Sequence, residues 1–228
     1  MPEPGSRRGR THDAEGAREA ILNAAEDVFA EHGFDGARID IIAAASGYNK
    51  SLIFQYYGDK LALYAEVIRR ADDQTRSMQD EALNRLMKTG EVADQAQLKE
   101  LLGLYIGWYF DYLVAHPNIQ RIYMWEMAEG WQTFSKIISQ RDLDDIDLFQ
   151  PVLTQLQQTG FLRSQPDVLL QFSGALFVSS LLLALPPLYK SMLPDVDMSS
   201  PTALANMRQF LIDFVASGLI VSPKEVTR

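Results

Sequence analysis

The chain of 228 residues has no cysteine. That excludes disulfides and thiolate metal sites, and it is compatible with a reducing cytoplasm. Only three histidines occur, His12, His32 and His116, too far apart for a sequence-local zinc site. No stretch alternates polar and apolar residues long enough to form a strand, and there is no internal repeat. Nucleophile motifs, phosphate-cradling glycine loops and metal-ligand pairs are missing, so no catalytic residue, cofactor or metal is expected. Positive charge is short as well, with a formal net charge of −9.

Two features resemble sites that the surrounding pattern does not support. Val168–Tyr189 is 22 residues without a formal charge, about the length that crosses a bilayer. Gln171, Ser173, Ser179, Ser180 and the Pro186-Pro187 pair interrupt it, so it reads as a buried or interface helix rather than a membrane span. The acidic run from Asp142 to Asp147 matches no calcium-loop spacing and reads as a solvated helix start favoured by the macrodipole. The opening MPEPGSRRGR has no apolar segment, so it does not read as a signal peptide. A cytoplasmic protein is expected.

What the chain does have is helical periodicity. Ala17, Ile21, Ala24, Ala25, Val28 and Phe29 share one face of a helix over Ala17–His32, with Gly33 as its stop and Phe34 folding back. The segment 37–60, ARIDIIAAASGYNKSLIFQYYGDK, holds two short helix-compatible runs meeting at Gly47. Glycine there takes positive φ at no steric cost. Asn49 is a good N-cap for the run Lys50–Tyr57, and Asp59 for a fourth helix from Lys60. Two short helices joined by such a turn make a helix-turn-helix, whose second helix enters the DNA major groove. Helical patterns continue over 61–89, Leu98–His116, Asn118–Met127, Asp145–Gln158, Val168–Leu185 and Thr202–Ser217. The expected fold is all-α with about nine helices. A disordered basic arm spans 1–13, a helix-turn-helix DNA-binding domain 14–60, and a larger helical ligand-binding and dimerisation domain 61–228.

Residues 1–60 carry 7 basic and 10 acidic side chains, so even the expected DNA-binding domain is acidic in sum. The basic groups are local instead: Arg7, Arg8 and Arg10 in the arm, Lys50 and Lys60 beside the second helix of the pair. Docking depends on the face presented, not on the total.

Taken in order, ILNAAEDVFAEHGF, IDIIAAASG and NKSLIFQYYGDKLAL over Ile21–Leu61 resemble the TetR family of bacterial regulators. The resemblance implies a dimer bound to double-stranded DNA, most often a repressor. It also implies that Lys50, Ser51 and Gln55 face base edges, and that Tyr56 and Lys60 contact phosphates. Lysine can donate to guanine O6 and N7, and glutamine can bind adenine in a bidentate way. Three departures from the family pattern matter. Arg38 stands where a capping threonine or serine is common, and replaces it with a cation. Phe54 replaces a common tyrosine. Leu52 replaces a small polar residue and suggests contact with a thymine methyl. Tyr57 reads as core, from its spacing to Ile53.

Residues 101–134 are rich in aromatic and sulfur side chains. Tyr105, Trp108, Tyr109 and Tyr112 recur at i, i+3, i+4, i+7 on one helix face, with Tyr123, Trp125 and Met127 further on. Packed core is the ordinary reading of any one of them. As a group they suit a small apolar or aromatic effector of unknown identity, and Glu126 would pair with a cation or face water. The segments 168–185 and 202–217 are the expected homodimer surface, because helix-turn-helix proteins usually read two half-sites. The alternative function is a small-molecule-processing helical enzyme with an incidental helix-turn-helix.

Overall fold

The computed structural model describes residues 7–88, 94–138, 160–162 and 168–220. Ten helices lie among them: α1 (Arg7–Gly36), α2 (Ile39–Ser46), α3 (Lys50–Tyr57), α4 (Lys60–Lys88), α5 (Gln95–Ala115), α6 (Pro117–Ala128), α7 (Gln132–Ile138), α8 (Val168–Ala184), α9 (Pro186–Met192) and α10 (Pro201–Leu219). Among the described residues the only extended pairing is one antiparallel bridge between Leu162 and Ile220. None of these helices is long and apolar enough to cross a membrane. The chain divides into two compact units, residues 1–73 with 118–141, and residues 74–117 with 142–228.

In the first unit the apolar face of α1 does what its spacing predicts, and Ile21, Ala25, Val28 and Phe29 are buried. Helix α1 starts earlier than the Ala17 expected. Residues 7–13, expected as part of a disordered arm, run helically instead. Gly33 is the predicted stop, with φ 67° and ψ −179° inside an otherwise helical run. A Cβ at Gly33 would also lie 3.0 Å from Cδ2 of Trp125. Beyond it Phe34 folds back, its ring centroid 6.2 Å from that of Phe29 and 5.2 Å from that of Tyr64.

Helices α2 and α3 are eight residues each and meet at Gly47, which has φ 75° and ψ 9°. Ile42 and Ile53 are their fully buried side chains. The Asn49 side chain accepts from the Leu52 N–H at 2.9 Å, the expected N-cap of α3. Asp59 likewise accepts from the Ala62 N–H at 2.8 Å at the start of α4. Leu63 and Val67 of α4 turn inward as predicted. The side chains of Met78, Leu83 and Leu86 lie outside the described ones.

The first unit reaches past the expected segment 14–60, because α6 and α7 join it along with the first half of α4. Helix α7 was not foreseen: seven residues offer too short a run for periodicity to register. Seven-residue α9 escaped for the same reason, although Pro186 stands at its start, where proline fits. The expected helix Asp145–Gln158 and the acidic run 142–147 lie outside the described residues. In the second unit, Leu98, Ile106 and Phe110 of α5 form a core with Met207, Leu211, Ile212, Val215 and Leu219 of α10.

Because Ile53 is the one fully buried side chain of α3, Ile53→Ala should cost about 2–5 kcal/mol of stability. Chemical denaturation of the two proteins measures this.

Candidate nucleic-acid interface

Anchoring α3 by Ile53 leaves four of its other side chains fully outward. Lys50, Ser51, Phe54 and Gln55 are exposed, while Leu52 and Tyr56 are half-buried. Arg38, the residue before α2, is exposed and sits in extended backbone with no side-chain capping bond. Its cation therefore remains available to solvent rather than to the helix end. Tyr57 is half-buried and donates its hydroxyl to the Arg18 carbonyl at 2.8 Å, tying α3 to α1. Burial raises the Tyr57 phenol pKa, with nearby Glu66 adding to the rise.

Three cations around this surface already have local partners. Lys50 forms an ion pair with Asp40 of α2. The Lys60 ammonium donates to the Asp35 carbonyl at 3.3 Å and lies 4.6 Å from the Phe34 ring centroid. Partial burial lowers the Lys60 pKa, opposed by the Asp35 and Glu129 carboxylates. The Arg18 guanidinium sits 4.9 Å from the Tyr56 ring centroid, close enough for a cation–π contact. Neither Arg18 nor Asp40 was among the expected site residues. Arg18 comes from a helix remote in sequence, and Asp40 reads alone as an ordinary first-turn acid.

Behind the surface lies a polar contact that the sequence did not reveal. Glu126 of α6 is only 1% exposed. One of its carboxylate oxygens accepts from the Tyr64 hydroxyl at 2.7 Å, the other from the Phe134 N–H at 3.1 Å. The expectation that Glu126 faces water or a cationic ligand is therefore corrected: the 62-residue separation from Tyr64 hid the pairing. Burial pushes the Tyr64 phenol well above its ordinary value, and the bond to Glu126 adds to the rise.

The expected effector residues divide between the units. Tyr105, Trp108 and Tyr112 run along α5 in the second unit, with centroid separations of 6.2 Å and 5.8 Å, and His116 continues the row at 4.4 Å from Tyr112. The Tyr112 hydroxyl donates to Gln74 at 3.2 Å. Tyr109, on the same helix, is half-buried. Tyr123, Trp125 and Met127 belong to α6 in the first unit. There Trp125 donates its indole N–H to the Ala30 carbonyl at 3.2 Å, which gives that ring a packing role over Gly33.

Comparison with known proteins agrees with this geometry. The family model described as "Bacterial regulatory proteins, tetR family" matches residues 21–67. The one described as "Tetracyclin repressor-like, C-terminal domain" matches residues 99–215, about half of the chain. The chain belongs to the TetR family. It is a transcriptional regulator of that family with a helix-turn-helix DNA-binding domain.

Among TetR-like relatives, an HTH-type transcriptional repressor of Streptomyces coelicolor is 36% identical over 51% of this chain and 53% of its own, so the match spans about half of that relative's length. The HTH-type transcriptional repressor NicS of Pseudomonas putida is 30% identical over 68% of this chain and 69% of its own. A crystal structure described as that of a TetR-like transcriptional regulator from Rhodococcus is 20% identical. It has a TM-score of 0.55, with 89% of this chain and 94% of that one covered, and it supports the fold.

The Tyr64–Glu126 pair has a consequence for pH. A phenol whose folded pKa is raised contributes stability that is fully present below its unfolded value and lost as pH climbs toward the folded one. Above about pH 10 the wild type should therefore lose stability more steeply than Tyr64→Phe, which has no proton to release. Denaturant unfolding of both proteins between pH 8 and pH 11 provides the comparison.

Proposed function

We propose that the protein is a homodimeric repressor that reads an operator with α3 and leaves it when a small apolar or aromatic effector binds. The observation that supports this most is the exposure of Lys50, Ser51 and Gln55 around the buried Ile53. In this reading Lys50 donates to guanine O6 and N7, Gln55 pairs with adenine, Ser51 bonds a base edge and Leu52 meets a thymine methyl. Arg38, Tyr56 and Lys60 hold phosphates and set the register, Lys60 exchanging the Asp35 carbonyl for a phosphate oxygen. That two relatives are described as repressors supports the sign of regulation.

Dimerisation through 168–185 and 202–217 is supported by the apolar surface those helices leave outside. Phe177 and Leu181 of α8 are exposed, as are Phe210 and Phe214 of α10. The last two rings stack on each other at 5.9 Å. Rings exposed to this extent on a monomer suit a self-complementary two-fold contact. For the effector, half-buried Tyr105 and Trp108 on α5 supply flat apolar faces with hydroxyl and indole groups at their edges, backed by the buried Tyr112. An effector binding one conformation better by ~1–3 kcal/mol changes operator occupancy severalfold to a hundredfold. Helix α4 begins at the phosphate contact Lys60 and continues to Lys88, a covalent route for that coupling.

Duplexes retained from a random library by the wild-type protein, with and without candidate effectors, test the reading. Against the best duplex, Lys50→Ala should lose about 1–3 kcal/mol and relax the preference at one base position. Lys60→Ala should instead weaken all duplexes alike and reduce the salt slope by about one. Titration with an aromatic effector should quench tryptophan fluorescence. Full quenching retained in Trp108→Phe with Trp125→Phe counts against the α5 site.

A further inference from the structure

We propose that Asp40 is a specificity-determining residue: it holds Lys50 in the free protein and penalises contact with DNA of arbitrary sequence. The proposal rests on the reading of α3 as the recognition helix. Asp40 is the second residue of α2 and Lys50 the first of α3, and the two form an ion pair across the turn. Their side chains are 54% and 52% exposed, so the pair lies on the surface.

The fold does not need this pair. The turn between the helices is already set by Gly47, the Asn49 cap and the buried Ile42 and Ile53, and an exposed ion pair adds little stability. Its placement matters more than its strength. Lys50 is the only lysine or arginine of α3, and its partner is a carboxylate in the first turn of α2.

A phosphate backbone and a base edge make different demands on that pair. Binding to backbone alone gains from releasing counterions, and each gain needs an unengaged cation. While Lys50 stays on Asp40 the pair presents no net charge, and drawing Lys50 away leaves a bare carboxylate facing phosphates. A guanine edge sets no such choice. The ammonium has three N–H donors, so one can remain on Asp40 while others reach O6 and N7. Asp40 thus weakens indiscriminate binding more than binding to the right base pair. The local excess of acids in residues 1–60 acts in the same direction, and Asp40 acts through the base-reading lysine itself.

The test uses the full-length protein and two fluorescent duplexes of equal length, the best one selected by the wild type and a random-sequence pool. Asp40→Asn should tighten binding of the pool by roughly three- to tenfold at low salt and that of the selected duplex by clearly less. The salt slope for the pool should steepen by about one. Asp40→Ser, also at home in a first helical turn, repeats the test should the asparagine variant fold poorly. Equal factors for both duplexes, no change, or weaker binding of the pool would overturn the role of Asp40 while leaving α3 as the reader. A wild type that retains no duplex at all would overturn both.

Discussion

An eight-residue helix does not persist in water by its own hydrogen bonds; below about 12–15 residues nucleation cost wins. Helix α3 exists because Ile53 is buried beneath it, Asn49 caps its first turn and the Tyr57 hydroxyl ties its end to α1. None of these restraints uses Lys50, Ser51 or Gln55. Lys50, Ser51 and Gln55 are left outward, as the proposed base reading requires. The same logic reaches one layer deeper. Phe34 and Tyr64 pack against Phe29 of α1, and Tyr64 is bonded in turn to Glu126 of α6. The contacts behind α3 thus come from residues spread over the first 126 positions of the chain.

What was legible in the sequence was whatever is local. Gly33, Gly47, Asn49 and Asp59 act within three or four residues of themselves, and the structure gives each the expected role. The inward faces of α1 and α4 follow from a 3.6-residue period and needed no tertiary information. What escaped was non-local or too short. Trp125 and Ala30 lie 95 residues apart, Tyr64 and Glu126 lie 62 apart, and no periodicity encodes such pairings. The aromatic segment 101–134 read as one cluster, yet it crosses the boundary near residue 117 between the two units. Helices α7 and α9 are two turns each and barely register as patterns.

Electrostatics explains how an acidic chain suits a DNA-binding family. The net charge of −9 sets the far field, which favours no polyanion, whereas docking depends on cations within a few ångströms of the groove. Around α3 the cations are held close to home, Lys50 by Asp40, Lys60 by a carbonyl and a ring, Arg18 by Tyr56. Pairing of this kind keeps long side chains near the geometry in which they act. On the proposed reading, a duplex must compete for them.

On the proposed reading, Lys50 through Tyr56 form the surface that meets DNA. Backbone amide NMR of the labelled protein, titrated with a duplex selected from a random library, tests it most directly. The largest shifts should fall at residues 50–56, with smaller ones near Arg38 and Lys60. Shifts concentrated elsewhere in the chain, or none with any duplex at low ionic strength, would contradict it.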